Sequence, residues 1–505
     1  MKIRHLSVFA AVAAALFISC SGNEDQPEVR PSLKLEGSTI EFEKEGGSET
    51  VSLTTNVDWS SASDASWLKV SPSGGVASQS VQTITLTADK NDGATREATV
   101  TITAKTIEAK VKVTQKSPED DGLTFVTIEE LKRQTPGNGE WYKVTATIAS
   151  IADYSYGNFY VVDNTGYIYV YGLTSEKQST NDQSFSSLSL NVGDELTFVA
   201  RLTQYNEILE AGGTVPAYYR THKSGSYNGT KAASTSAGWL ELPATSASDG
   251  FDIISHYMYA EGLAGNRSYT YSWNYDNLVA NWVAYPMCKS FRGSGERTES
   301  YGFDPMLDVS KQPSLGRGTY QKGNGGAYNR GHQLPSADRL NRRENIEVFY
   351  GTNITPQYAS SNEFSGKLEA LMRNSWSANC DTLYVVTGCD LKGSDLYVLD
   401  RSSEPKKVTV PVGHYKVLLK YSVESGYAGL AIYLNNDNSY SDYSGSSTDD
   451  AKKYIKDKNL CMSIDALEEK LGIDFFVNLP KLVGEDKAKE IEAEKPEDNK
   501  FWWTE

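Results

Sequence analysis

The sequence predicts a multidomain, β-rich protein: a small β-sandwich, a five-stranded β-barrel-like module and a larger α+β module towards the C-terminus. Three observations lead there. At 505 residues the chain is too long for a single hydrophobic core. Tyrosine outnumbers phenylalanine by 31 to 15 and glycine reaches 41, a composition that favours strands joined by many turns. Residues 32–116 alternate apolar and polar side chains with a period of two, whereas helix and strand patterns mix beyond residue 238.

Taken in order, the first segment is a leader. Residues 1–19 of "MKIRHLSVFAAVAAALFISC" carry a basic start and an apolar run of about a dozen residues, a secretory signal too short to span a membrane comfortably. The ending "FISC" resembles a bacterial lipobox. That resemblance implies lipid on Cys20, membrane attachment through it, and residues 20–31 as an acidic tether like those of Bacteroidetes surface lipoproteins. The expected location is the outer membrane, exposed at the surface, with a periplasm-facing arrangement as the alternative. Removing Lys2 and Arg4 takes the net charge from −16 to −18, which argues against general polyanion binding. Residues 281–345 are locally basic within this acidic chain. Four further cysteines, Cys288, Cys380, Cys389 and Cys461, allow two disulfides in three connectivities and lack the short spacing of a zinc site.

Residues 32–116 carry "VDWSSASDASWLKVSPSGG", Asn91, Arg96 and a terminal "VKVTQ", and they resemble the BACON domain. That family implies weak glycan binding through exposed Trp59 or Trp67. The competing expectation, which we favour, buries both tryptophans and makes the module a spacer. After a polar linker, residues 122–220 supply five strand-like runs that resemble an OB-fold. Tyr156, Phe159, Tyr167, Tyr169 and Tyr171 could stack on bases, but Lys143 and Arg201 are nearly the only basic residues, so a structural or protein-contact role is favoured. Residues 221–237 have the Ser/Gly/Thr composition of a flexible linker, and residues 238–505 form the last module.

Chemistry concentrates between residues 327 and 373. "NRGHQLPSADR" places His332 behind Arg330 and close to Arg339, Arg342 and Arg343, and positive charge lowers an imidazole pKa. In "VFYGTNITPQ", Val348–Tyr350 read as a short buried strand, residues 351–353 as a turn, and Pro356 as a block to continuation. In "SSNEFSGKLEALMRNSW", Ser360 or Ser361 can cap a helix that buries Phe364, Leu368 and Leu371. At about 100° per residue, Asn362, Glu369 and Arg373 fall within about 20° of one stripe. An amide oxygen, a carboxylate and a guanidinium so aligned can hold a hydrated divalent cation and a phosphate together.

These ordered motifs resemble the DNA/RNA non-specific endonucleases of ββα-metal type. The resemblance extends over "VANWVAYPM", "VTVPVGHYKVLL" and "SIDALEEKLGIDFFVNLP". It implies a metal-dependent phosphodiester hydrolase acting on DNA and RNA, with His332 as general base and Asn362 as the single protein ligand of Mg²⁺, Mn²⁺ being the alternative ion. By the same resemblance Glu369 orients metal-bound water, Arg330 and Arg373 bind phosphate, and Asn353 braces the site. Two departures stand out. Asn329 replaces the family's aspartate, and Glu369 follows Asn362 by seven positions where the family commonly has eight. They leave two alternatives: a catalytically silent surface lipoprotein that binds glycan or protein, and a phosphodiesterase acting on a non-nucleic substrate. Oligomeric state is not legible.

Overall fold

In the computed structural model, the described residues are 30–117, 122–231, 238–244, 251–316 and 318–503. The leader, Cys20, the tether up to residue 29 and Arg317 lie outside them. The chain divides into two compact units, residues 1–122 and 123–505. Among the described residues no helix is long and apolar enough to cross a membrane.

In the first unit the period-two alternation builds two sheets. One orders Leu33–Glu36, Gly47–Thr55, Ser78–Ala88 and Leu68–Ser71; the other orders Thr39–Phe42, Ile107–Gln115, Arg96–Ala104, Trp59–Ser63 and Gly74–Gly75. Alternate residues of both, such as Leu53, Ile84, Val100 and Val113, meet in one core. Trp59 belongs to that core, and its indole N–H donates to Gln82 at 3.1 Å. Trp67 is half-buried, with the Arg96 guanidinium 4.4 Å from its ring centre. Neither indole is freely exposed.

The second unit opens with a closed five-stranded barrel. Tyr142–Asp153, Asn158–Val162, Tyr167–Thr174, Ile208–Lys223 and Glu195–Ala200 pair in that spatial order, and the last returns to the first. Ile148, Val161, Val170 and Phe198 fill it. Phe159 is wholly buried there, so this one of the five aromatics cannot meet a ligand, whereas Tyr156 and Tyr171 are exposed. The Arg201 guanidinium lies on the Trp141 ring, at 4.5 Å.

Residues 221–231 are not the flexible linker that their composition suggests. Residues 221–223 continue the last barrel strand, and Gly229–Lys231 pairs antiparallel with Asp252–Tyr257 at the edge of the next sheet. Backbone pairing and the Lys231–Asp252 ion pair, at 3.0 Å, override the Ser/Gly composition. Residues 232–237 fall outside the described part.

That next sheet has eight antiparallel strands. Its order is Gly229–Lys231, Asp252–Tyr257, Arg267–Asn274, Val279–Met287, Thr382–Asp390, Gly413–Ser422, Gly426–Asn435 and Cys461–Met462. Alternation splits its side chains between two cores. Tyr415, Val417 and Leu419 face the layer containing helix Ile464–Leu471, while Leu418 faces the layer that carries the site. The barrel is fastened to this module by its carbonyls. Arg342 donates to Asp163 O at 2.8 Å and Thr165 O at 3.0 Å, and the Tyr350 hydroxyl donates to Ala149 O at 3.1 Å.

The two disulfides allowed by the cysteine count are not formed: Cys288, Cys380, Cys389 and Cys461 are free thiols. Sheet position explains part of this. Cys389 and Cys461 lie three strands apart, roughly 14 Å at ordinary strand spacing, too far for an S–S bond.

Candidate active site

The site is built on a two-stranded hairpin and the helix that follows it. Asn329–His332 pairs antiparallel with Ile354–Gln357, matching Arg330 to Pro356 and His332 to Ile354. The strand therefore lies at 354–357, not at 348–350. Val348–Tyr350 instead close the helix Arg342–Glu347 and are fully buried, since three consecutive apolar residues suit a buried helix end as well as a strand. Pro356 is tolerated because its strand pairs on one side only. Gly331 is required by close approach: a Cβ there would overlap the buried Gln357 side chain.

Asn353, wholly buried, ties the hairpin to the helix end. Its Oδ1 accepts from Leu334 N–H at 2.8 Å, and its Nδ2 donates to Leu334 O at 2.9 Å and Val348 O at 2.8 Å.

His332 and Arg330 sit two residues apart on one strand, so their side chains share a face. The imidazole packs edge-on against Phe349, with ring centres 4.7 Å apart, and lies 6.2 Å from Tyr301. Its Nε2 is enclosed and has no hydrogen-bond partner. Burial, reinforced by the charges of Arg297 and Arg330, holds its pKa well below the usual 6.5. The neutral state expected from nearby arginines therefore has burial as its main cause, and the arginines responsible differ in part from those next in sequence. Arg339 is fully buried and donates to Ser268 O and Pro286 O, while Arg342 and Arg343 reach barrel carbonyls. Arg330 donates to Leu315 O at 3.1 Å and Gly316 O at 2.6 Å, and its guanidinium lies 3.5 Å from the Tyr301 ring centre.

The helix runs Ala359–Leu371 and packs against the strand carrying His332. It starts before both serines. Tyr358 is its N-cap, with its N–H donated to Asn436 Oδ1 at 2.7 Å, and Ser360 instead donates to Asp437 O. Phe364, Leu368 and Leu371 are buried as the spacing predicts. Arg373 lies beyond the α-helix, in a π-turn over Met372–Trp376, and forms an ion pair with buried Asp338. Glu369 accepts from Ser365 Oγ at 3.3 Å and lies 3.8 Å from Lys416 Nζ. Burial pushes the Glu369 carboxyl above its ordinary range, with Lys416 opposing that shift. Burial likewise raises Asp338, against the pull of Arg373. Glu369 and Arg373 thus join one charged network with Asp338 and Lys416, whereas Arg330 is held separately beside Tyr301.

Asn362 is half-exposed on the same helix, and among the described residues its side-chain amide has no hydrogen-bond partner. An unpaired amide oxygen on a helix that also presents Glu369 fits a hard cation held mostly by water. Among the described residues no group of three or more His, Cys, Asp and Glu could enclose a metal.

Motif reading does not single out four residues of the site. Asp338 and Arg297 carry no spacing signal. Tyr301 is one of many tyrosines. Lys416 does leave a trace, as a charge at an alternate position of the apolar strand "GHYKVLLKYS".

Residues 57–116 match the BACON domain, and residues 257–482 match the DNA/RNA non-specific endonuclease family. A nuclease of a Nostoc species is 30% identical over 236 residues, covering 43% of this chain and 74% of that protein. A Serratia marcescens nuclease is 28% identical, covering 42% and 74%. A nuclease of Syncephalastrum racemosum is 26% identical, covering 43% and 68%. The chain belongs to the DNA/RNA non-specific endonuclease family.

Proposed function

We propose that this chain is an Mg²⁺-dependent, sugar-non-specific endonuclease that hydrolyses phosphodiester bonds of DNA and RNA. The observation that carries the reading is His332: a neutral imidazole, flanked by two arginines, with an enclosed and unpartnered Nε2 on a braced hairpin. A base kept unprotonated beside positive charge suits proton abstraction next to a phosphate. His332 takes the proton from the attacking water. Arg330 and Arg373 bind the phosphate, each held in place by its carbonyl or carboxylate partner. Asn362 holds the ion, Mn²⁺ being the alternative, and Glu369 orients its waters. When bound, the ion supplies Lewis-acid stabilisation of charge on the phosphate and the departing oxygen. Recognition of phosphate leaves the sugar unread, so DNA and RNA are both accepted. In the same reading, lipid on Cys20 anchors the chain at the outer membrane, which a Cys20→Ala variant recovered in the soluble fraction would support and one still in the membrane fraction would contradict.

The test is nicking of supercoiled plasmid, and degradation of RNA, with Mg²⁺ or EDTA. Cleavage that needs Mg²⁺, and an Asn362→Ala variant that is inactive or needs far more Mg²⁺, are expected. Folded protein that leaves both substrates intact under Mg²⁺ and Mn²⁺ overturns the reading.

A further inference from the structure

A cleft of about 710 Å³ opens where the barrel meets the α+β module, within the size range of ligand sites. The barrel contributes Tyr160, Tyr167, Tyr169, Tyr205 and Ile208, and the opposite wall contributes Arg297, Tyr301 and Arg330. Tyr205 and Ile208 end the hairpin formed by Leu202–Tyr205 and the start of Ile208–Lys223. Its two turn residues, Asn206 and Glu207, have φ of 46° and 69°, and Tyr205 remains 59% exposed. An aromatic and an aliphatic side chain are thus held out of the barrel, into a cleft, with no apolar partner covering most of the ring.

The cleft is continuous with the site. Arg297 and Arg330, which depress the His332 pKa, are two of its wall residues. Tyr301, under Arg330, stands 6.2 Å from His332. The charged groups of the cleft are mostly cationic. Lys132 lies 4.6 Å from the Tyr167 ring centre; Glu299, the acidic member, pairs with Arg297, and its backbone O accepts from the Tyr160 hydroxyl at 3.2 Å.

We propose that this cleft binds unpaired bases of the strand being cut, so that the enzyme prefers single-stranded nucleic acid and reads it beside the scissile phosphate. Aromatic rings next to arginine are what a sugar-phosphate chain with exposed bases requires: the rings take base faces and the cations take phosphates. In a duplex each base face is already covered by its neighbour in the stack, so the tyrosines have nothing to receive. The proposal rests on the hydrolase reading above for its orientation, but its test does not depend on cleavage.

The experiment uses full-length protein carrying His332→Ala, with Mg²⁺ present, and fluorescence anisotropy of a labelled oligothymidylate of about ten nucleotides against a duplex of equal length. Tyr205→Ala with Tyr167→Ala should weaken single-strand binding about 10-fold or more, since each stacked base is worth about 1–3 kcal/mol. Duplex binding should change less than about 3-fold. Tyr205→Phe with Tyr167→Phe, which keeps both rings, should retain single-strand binding. Unchanged single-strand affinity, equal weakening for both ligands, or loss in the phenylalanine pair overturns the proposal. Failure here in a protein that still cuts plasmid removes only the cleft's role. Single-strand binding that depends on the tyrosine rings, in a protein that cuts nothing, keeps the cleft and removes the hydrolase reading.

Discussion

Asn353→Ala removes three hydrogen bonds at once from a position with no solvent access. It leaves Leu334 N–H, Leu334 O and Val348 O without these partners. An unsatisfied buried backbone group costs about 1–3 kcal/mol. Partial relaxation and water entering the space left by the amide bring the expected loss to about 3–5 kcal/mol, a large share of the ~5–15 kcal/mol typical of a domain. Urea unfolding followed by tryptophan fluorescence should show the second unit's midpoint falling by about 1 M or more, taking a slope of ~3 kcal/mol/M. The same bonds set where the chain leaves His332, so kcat/KM should fall about 100-fold under conditions where the variant is still folded. A midpoint within about 0.3 M of wild type, with unchanged kcat/KM, would refute the assignment of Asn353 as the brace.

Three further outcomes follow from the charges. Arg297→Gln removes one of the two cations that lower the His332 pKa, so the acid limb of kcat/KM should move up towards 6.5 yet stay below it, because burial remains the larger cause; an unmoved limb contradicts this. Lys416→Met removes the charge that opposes the burial-driven rise of Glu369, so Glu369 should protonate at higher pH and activity should be lost at higher pH on the acid side. A profile identical to wild type would exclude that coupling. Glu347 is buried and its pKa is pushed up to about 7, so the folded state keeps a proton that the unfolded chain releases near 4.5. Its contribution favours folding below about 4.5 and declines as pH rises to about 7. His256, raised by Asp304 against the opposing effect of burial, adds a further decline above 6.5. Burial keeps His332 and His414 neutral, which adds stability as pH rises and opposes this decline. The Glu347 contribution is therefore read as the Tm of wild type minus that of Glu347→Gln, which should fall between pH 5 and pH 8; a difference that stays constant with pH would count against it.

What the sequence discloses is what lies close together along it. Arg330, His332, Asn353, Asn362, Glu369 and Arg373 occur within 44 residues, and the helical repeat alone puts three of them near one stripe. The partners that complete their chemistry come from elsewhere. Lys416 reaches Glu369 only because the strand Gly413–Ser422 alternates its faces within the large sheet, and Arg297 reaches His332 through a loop with no regular pattern. Arg339 illustrates the converse: adjacent charge in sequence is spent on carbonyls in the core and does not surround the histidine. Composition misled at residues 221–231, where strand pairing of Gly229–Lys231 outweighs the weak local preference of Ser and Gly for loops. The aromatic count of the barrel is visible in the sequence, but not that Phe159 is interior and that Tyr205, at a hairpin tip, stays open.

Whether His332 acts as a neutral general base is read most directly from the pH dependence of kcat/KM for wild type and His332→Ala, with and without added imidazole. Wild type should show an acid limb well below 6.5, the variant a loss of about 100-fold or more, and added imidazole a partial recovery. A variant within about 3-fold of wild type, or a wild-type limb at 6.5 or above, would contradict it.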